Sequence, residues 1–132
     1  MRYMLDTNIC IYIIKRQPSK VLKTFKKLQV GDVGLSSITL AELEYGVAKS
    51  RQKGRNQAAL AAFLAPLEIL SFSHEAAVVY GEVRSALEEK GMIIGPYDLL
   101  IASHALSEGL TLVTNNLSEF QRVPGLAVEN WT

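Results

Sequence analysis

A single cysteine, Cys10, stands in a chain of 132 residues. One thiol excludes an internal disulfide framework and a cysteine-rich zinc site, and it points to a reducing compartment, the cytoplasm. An excess of one charge sign is missing as well: 14 Lys and Arg face 13 Asp and Glu, for a formal net charge of +1. That balance excludes a protein that holds nucleic acid by its overall field, so any such contact must come from local patches. Long apolar runs are absent, the stretches at 92–94 and 110–113 being far shorter than the ~20 residues of a membrane-spanning helix. Asp6 interrupts the N-terminal apolar stretch before the hydrophobic region of a signal peptide is reached. The sequence also lacks a Walker-type loop, a GxGxxG turn and a GxSxG elbow, which removes support for phosphate cradling by glycines and for serine hydrolysis. What remains is a chain that is 48% hydrophobic and 20% charged, enough to bury a core, and of a length that fits one domain over residues 1–132.

Short apolar runs alternate with amphipathic stretches. Tyr3 to Leu5 reads as a buried strand that breaks at Asp6 into a helix through Ile14. Ser19 to Gln29 places Leu22, Phe25 and Leu28 among lysines, an amphipathic basic helix, and Lys15 to Lys27 reads as its phosphate-facing stretch. Val33 to Leu35 is a second strand, and Ser36 or Ser37 caps a helix that contains Glu42. The polar, basic segment Lys49 to Asn56 reads as a loop, followed by a helix over Gln57 to Leu64. A strand over Glu68 to Phe72, a helix over His74 to Lys90, a helix from Tyr97 to the stop at Gly109, and a strand over Thr111 to Val113 come next. A short helix near Ser118 to Gln121 and a strand near Leu126 to Val128 end the series. This alternation predicts an α/β fold with a central, mostly parallel sheet flanked by helices. In such sheets ligands bind outside the carboxyl ends of the strands, where Asp6 and Asn116 both fall.

Three acids stand out. Asp6 follows a strand and serves equally as a helix cap; Glu42 lies between Ala41 and Leu43, where an outward-facing Glu is the plain alternative; Asp98 suits the first turn of a helix. Gathered at one sheet end, they would repel one another unless a cation neutralised them. An all-oxygen set calls for Mg²⁺ or Mn²⁺, and His74 and His104 are too few for zinc. A carboxylate-held Mg²⁺ suits phosphodiester hydrolysis.

The segments MLDTN (4–8), SSITLAELEYGVAKS (36–50), GPYDLLIASHA (95–105) and VTNNLSEFQRVPGLAVENW (113–131) resemble, in order and over nearly the whole chain, the PIN-domain ribonucleases. The resemblance is specifically to VapC toxins of type II toxin–antitoxin pairs. It implies a PIN fold and identifies Asp6, Glu42 and Asp98 with the family's acidic metal-site positions. A fourth family acid is replaced here by Asn116, with Glu119 one helical turn onward to supply the charge. The resemblance also marks Thr7 and Thr114 as orienting hydroxyls, Asn8 as a supporting residue, and Ser103 as a neighbour of the site. It implies a Mg²⁺-dependent endoribonuclease, with Mn²⁺ as a substitute, that cuts structured RNA, and the TNN pattern resembles the branch whose target is initiator tRNA in the anticodon stem-loop. A VapB antitoxin is implied as partner, with an Arg or Lys reaching the acidic pocket and operator DNA bound only through it. A homodimer within the larger complex is implied too, for which Leu60, Phe63 and Leu64 offer an apolar stripe. Phosphate contacts are expected from Lys15 to Lys27 and Lys49 to Arg55, with Arg84 and Arg122 as additions. Two alternatives stand beside this: a binding module that has lost catalysis, motivated by Asn116, and a PIN-like nuclease acting on DNA.

Overall fold

The computed structural model describes residues 1–132. Its strands are β1 (Tyr3–Leu5), β2 (Val33–Ser36), β3 (Glu68–Leu70), β4 (Thr111–Val113) and β5 (Val128–Glu129). The helices are α1 (Thr7–Lys15), α2 (Ser19–Lys26), α3 (Ser37–Ala48), α4 (Lys53–Leu64), α5 (His74–Glu89), α6 (Pro96–Glu108) and α7 (Leu117–Phe120). All five strands form one parallel sheet in the order β3-β2-β1-β4-β5, so the expected mostly parallel sheet is wholly parallel. Parallel neighbours need crossovers, and the helices supply them. The chain winds outward from β1 through β2 to β3, then continues on the other side with β4 and β5. The winding therefore reverses between β1 and β4, and the crevice outside their carboxyl ends is where such sheets bind ligands.

Alternation along the strands sorts two cores. Met4 and Leu112 face one side with Val83 and Leu87 of α5 and Leu99, Ile101 and Ala102 of α6. Leu5, Val33, Leu35 and Val113 face the other with Ile9 and Ile13 of α1, Val21 of α2, and Leu60 and Phe63 of α4. Between Val33 and Leu35, Gly34 brings β2 so close to its neighbours that a Cβ there would lie 2.9 Å from the Glu68 carbonyl and 2.9 Å from Met1 Sδ. Trp131 folds back after β5 into the second core, edge-on to Tyr3 with centroids 5.4 Å apart.

Several expectations are corrected. Lys15 to Lys27 is two helices: Arg16 adopts a left-handed conformation (φ 60°) at the end of α1, and Pro18, which cannot continue a helix, precedes α2. The loop read over Lys49 to Asn56 is shorter, because α4 begins at Lys53 and Asn56 N–H donates to the Gln52 carbonyl (2.9 Å). Leu60 and Phe63 are only 2% and 8% exposed within the chain's own core and form no free interface stripe. Arg84 and Arg122 are exposed, as a phosphate contact requires, with local partners in Glu88 (3.4 Å) and the Ile93 carbonyl (3.1 Å). No helix is long and apolar enough to cross a membrane.

Candidate active site

Asp6 extends β1 by one residue, its N–H donating to the Val113 carbonyl (3.0 Å), and at the same time caps α1, with Oδ1 accepting from Ile9 N–H (2.9 Å). A strand that turns directly into a capped helix fixes this side chain, which is only 4% exposed, at the winding reversal. Burial pushes its carboxyl above the usual range, against the pull of the Thr114 hydroxyl and the Ile9 N–H, and Glu42 adds to the rise. Thr114, buried at the end of β4, takes Asn116 N–H on Oγ1 (3.0 Å), which leaves its hydroxyl hydrogen for Asp6.

Glu42 reaches the same place from α3. Ser36 caps that helix by accepting Ile38 N–H on Oγ (3.0 Å), and the Ser36 hydroxyl meets His104 Nδ1 of α6 at 2.7 Å. The histidine ring, fully buried and held below its usual pKa by that burial, thus joins the helix that carries Glu42 to the one that carries Asp98. Thr7 Oγ1 donates to Glu42 Oε1 (2.7 Å), so the residue beside Asp6 orients the second acid.

Asp98 stands in the first turn of α6. A side chain at this helix position commonly reaches back to the cap N–H. Here Glu119 Oε1 takes the Gly95 N–H instead (2.9 Å), and the Asp98 carboxyl meets that of Glu119. Both Asp98 Oδ2 and Glu119 Oε1 lie 3.6 Å from the point where a Cβ on Gly95 would sit. Burial, then the Glu119 carboxylate beside it, then Asp6 and Glu42 raise the Asp98 pKa to about 7. Asn116 Nδ2 donates to Glu119 Oε2 (2.6 Å), and Asn116 Oδ1 accepts from Ser118 Oγ (3.4 Å). The amide therefore orients Glu119.

The structure thus brings together Asp6, Glu42, Asp98 and Glu119, with Thr7, Thr114 and Asn116 holding three of them. It does not bring in Ser103, whose hydroxyl donates to the Leu99 carbonyl (2.7 Å) inside α6, a correction to its expected place at the site. Asn8 is exposed, and it is its backbone N–H that helps lower the Asp6 pKa. Gly95, whose N–H anchors Glu119, was legible only as part of the GPYDLLIASHA segment that opens a helix. The donor set is all carboxylate oxygen, and its mutual repulsion is of the kind a divalent cation relieves.

A family model described as PIN domain matches residues 3–126. The chain is 53% identical over 132 residues to Ribonuclease VapC2 of Rickettsia felis, covering 99% of this chain and 98% of that one. It is 46% identical over 131 residues to the tRNA(fMet)-specific endonuclease VapC of Salmonella typhimurium, again covering 99% and 98%. Among solved structures, VapBC2 from Rickettsia felis bound to a DNA fragment from its promoter contains a chain that superposes with a TM-score of 0.94. That chain is 52% identical, and all of both chains is covered.

Proposed function

Because this chain belongs to the PIN-domain family and, within it, to the VapC ribonucleases, we propose that it is a Mg²⁺-dependent endoribonuclease toxin that arrests translation by cutting structured RNA, initiator tRNA in the anticodon stem-loop foremost. The observation that carries the reading is the group Asp6, Glu42, Asp98 and Glu119 at the winding reversal, with Asp98 pushed up to about 7 by its neighbours. Residues 1–132 act as one domain in this reading. Asp6, Asp98 and Glu42 form the metal site, Mn²⁺ serving as a substitute, and Glu119 completes the acidic surround. When bound, a divalent ion orients the phosphate, lowers the pKa of a water and stabilises the leaving oxygen. The protein's own part is orientation. Thr7 occupies Glu42 Oε1 and leaves Oε2 to accept a hydrogen from the attacking water, and Asn116 and the Gly95 N–H hold Glu119 across the site. Because Glu119 carries the charge that Asn116 lacks, these contacts support turnover over a binding-only role. Exposed Lys20, Lys23, Lys26, Arg51, Lys53 and Arg55 provide local positive charge for an RNA backbone.

The test is cleavage of purified tRNAs, initiator tRNA included, and of DNA of matching sequence, with Mg²⁺ and with EDTA. Cutting of initiator tRNA only with metal supports the proposal, whereas preference for DNA, or cutting in EDTA, overturns it.

The same reading supplies a VapB antitoxin, homodimerisation within the toxin–antitoxin complex, and operator DNA bound only through the antitoxin. An Arg or Lys of the antitoxin pairs with the acids by charge-assisted hydrogen bonds. A cavity of about 300 Å³ between α1, α3 and α4 runs up to Glu42 and is lined by Ile11, Ile14, Leu43, Gly46 and Val47 among others, which suits the apolar residues next to that cation. Nothing lies within 4 Å of a Cβ placed on Gly46. Gly46→Leu is therefore expected to fill the groove and weaken antitoxin binding roughly ten- to a hundredfold, the worth of one apolar side chain kept from its pocket. Titration calorimetry checks this, and unchanged affinity removes the groove from the interface. The melting temperature should not fall, because the variant replaces a helical glycine.

A further inference from the structure

Asn115 is the one residue of the turn from Thr114 to Asn116 that the acidic group does not use. Its neighbours are committed, Thr114 to Asp6 and Asn116 to Glu119. The backbone on both sides is pinned, with Thr114 N–H donating to the Glu129 carbonyl (2.9 Å) and Asn116 N–H to Thr114 Oγ1 (3.0 Å). Asn115 is thus an exposed carboxamide fixed at the rim of the site. Its Nδ2 donates to the phenol oxygen of Tyr12, 2.8 Å away and 103 residues distant in sequence. Tyr12 lies on α1, its ring half-buried against the core beneath. Helical side chains lean toward the N-terminus, so the phenol reaches back toward the end of α1 that carries Asp6.

An exposed amide is satisfied by water and gains little stability from a phenol partner. What the bond does is fix the amide's orientation, which lowers the entropy cost of binding something else. One N–H and Oδ1 of Asn115 stay open, a donor and an acceptor on the residue between those that orient Asp6 and Glu119. Sequence-specific RNA recognition takes unstacked loop bases by their edges, and an Asn amide pairs with such an edge through two hydrogen bonds. We propose that Asn115, oriented by Tyr12, reads the nucleobase flanking the scissile phosphate, Asn115 setting specificity and Tyr12 acting as its positioning residue. This rests on the ribonuclease reading above.

The test uses stem-loop RNAs that differ only at the nucleotides flanking the cut, cleaved by the wild-type chain, Asn115→Ala and Tyr12→Phe. The wild type should favour one base at one flanking position by roughly tenfold or more, the worth of a two-bond amide contact. Asn115→Ala should flatten the preference at that position alone, and Tyr12→Phe should flatten it in part, with Mn²⁺ affinity, pH profile and melting temperature unmoved. An unchanged preference in Asn115→Ala overturns the proposal. So does an equal loss on every RNA accompanied by weaker metal binding, which would mark a structural role. A wild type that cuts without flanking preference overturns this inference alone, and one that cuts no RNA overturns the ribonuclease reading with it.

Discussion

Asp98→Asn is expected to lower RNA cleavage by roughly three orders of magnitude, well beyond the ten- to hundredfold that a ligand's supporting partner is worth. The same substitution should raise the melting temperature of the metal-free chain. Asp98 is crowded by burial and by Glu119, Asp6 and Glu42, which lift its pKa to about 7. A raised pKa means that the folded state prefers the protonated acid. The stabilisation is complete below the unfolded value near 4 and is lost as the pH climbs through about 7. Asparagine imitates the neutral acid at every pH, so the variant should be the more stable form at pH 8 and equal to the wild type near pH 4. The gain should be about 1 kcal/mol or less, because solvent screens a half-exposed carboxylate. Single-turnover cleavage and thermal melts at the two pH values check both halves. Wild-type rates in Asp98→Asn would remove it from the metal site, and identical melts at pH 8 would remove the repulsion.

Metal binding should be coupled to a proton in the same way. Below about pH 7 an incoming Mg²⁺ or Mn²⁺ must displace the proton that the acids hold at Asp98; above it, the site is already ionised. Apparent affinity should therefore fall by about tenfold for each pH unit below 7, as one displaced proton requires. Calorimetry in buffers of different ionisation enthalpy should record a proton released per ion at pH 6 and almost none at pH 8. Cleavage at limiting metal should follow the same slope, and EDTA should abolish it at either pH. Affinity that is flat from pH 6 to pH 8 would place the ion away from Asp98.

The acids were readable in advance because each interrupts a local pattern: Asp6 ends an apolar strand, Glu42 sits in an apolar helix, and Asp98 opens one. The contacts that orient them were readable only in part: the resemblance marked Thr7 and Thr114 as orienting hydroxyls but not their partners, since Thr7 meets Glu42 across 35 residues, and the Gly95 contact to Glu119, across 24, had no local signal. Ser103 was misplaced for a related reason. A helical serine can satisfy its hydroxyl on the carbonyl one turn back, and Ser103 does so at Leu99, a choice that residue type does not reveal. The start of α4 was hidden by a basic run with a glycine in it. Leu60 and Phe63 anchor that helix in the core, and their packing carries it back through residues whose own preferences are weak. The stretch from Lys15 to Lys27 erred the other way, for its spacing is helical on both sides of Arg16 while the backbone at Arg16 and the ring of Pro18 break it.

Trp131, buried to 4% exposure against Tyr3 of the central strand, is the chain's only tryptophan. Its indole N–H donates to Glu129 (3.0 Å), in the strand that closes the sheet beside β4. The protein therefore carries its own optical gauge. Indole emission should be blue while β5 is docked and shift to the red when the last residues peel away, so strand release and global melting become separable by colour against a far-ultraviolet signal dominated by the helices.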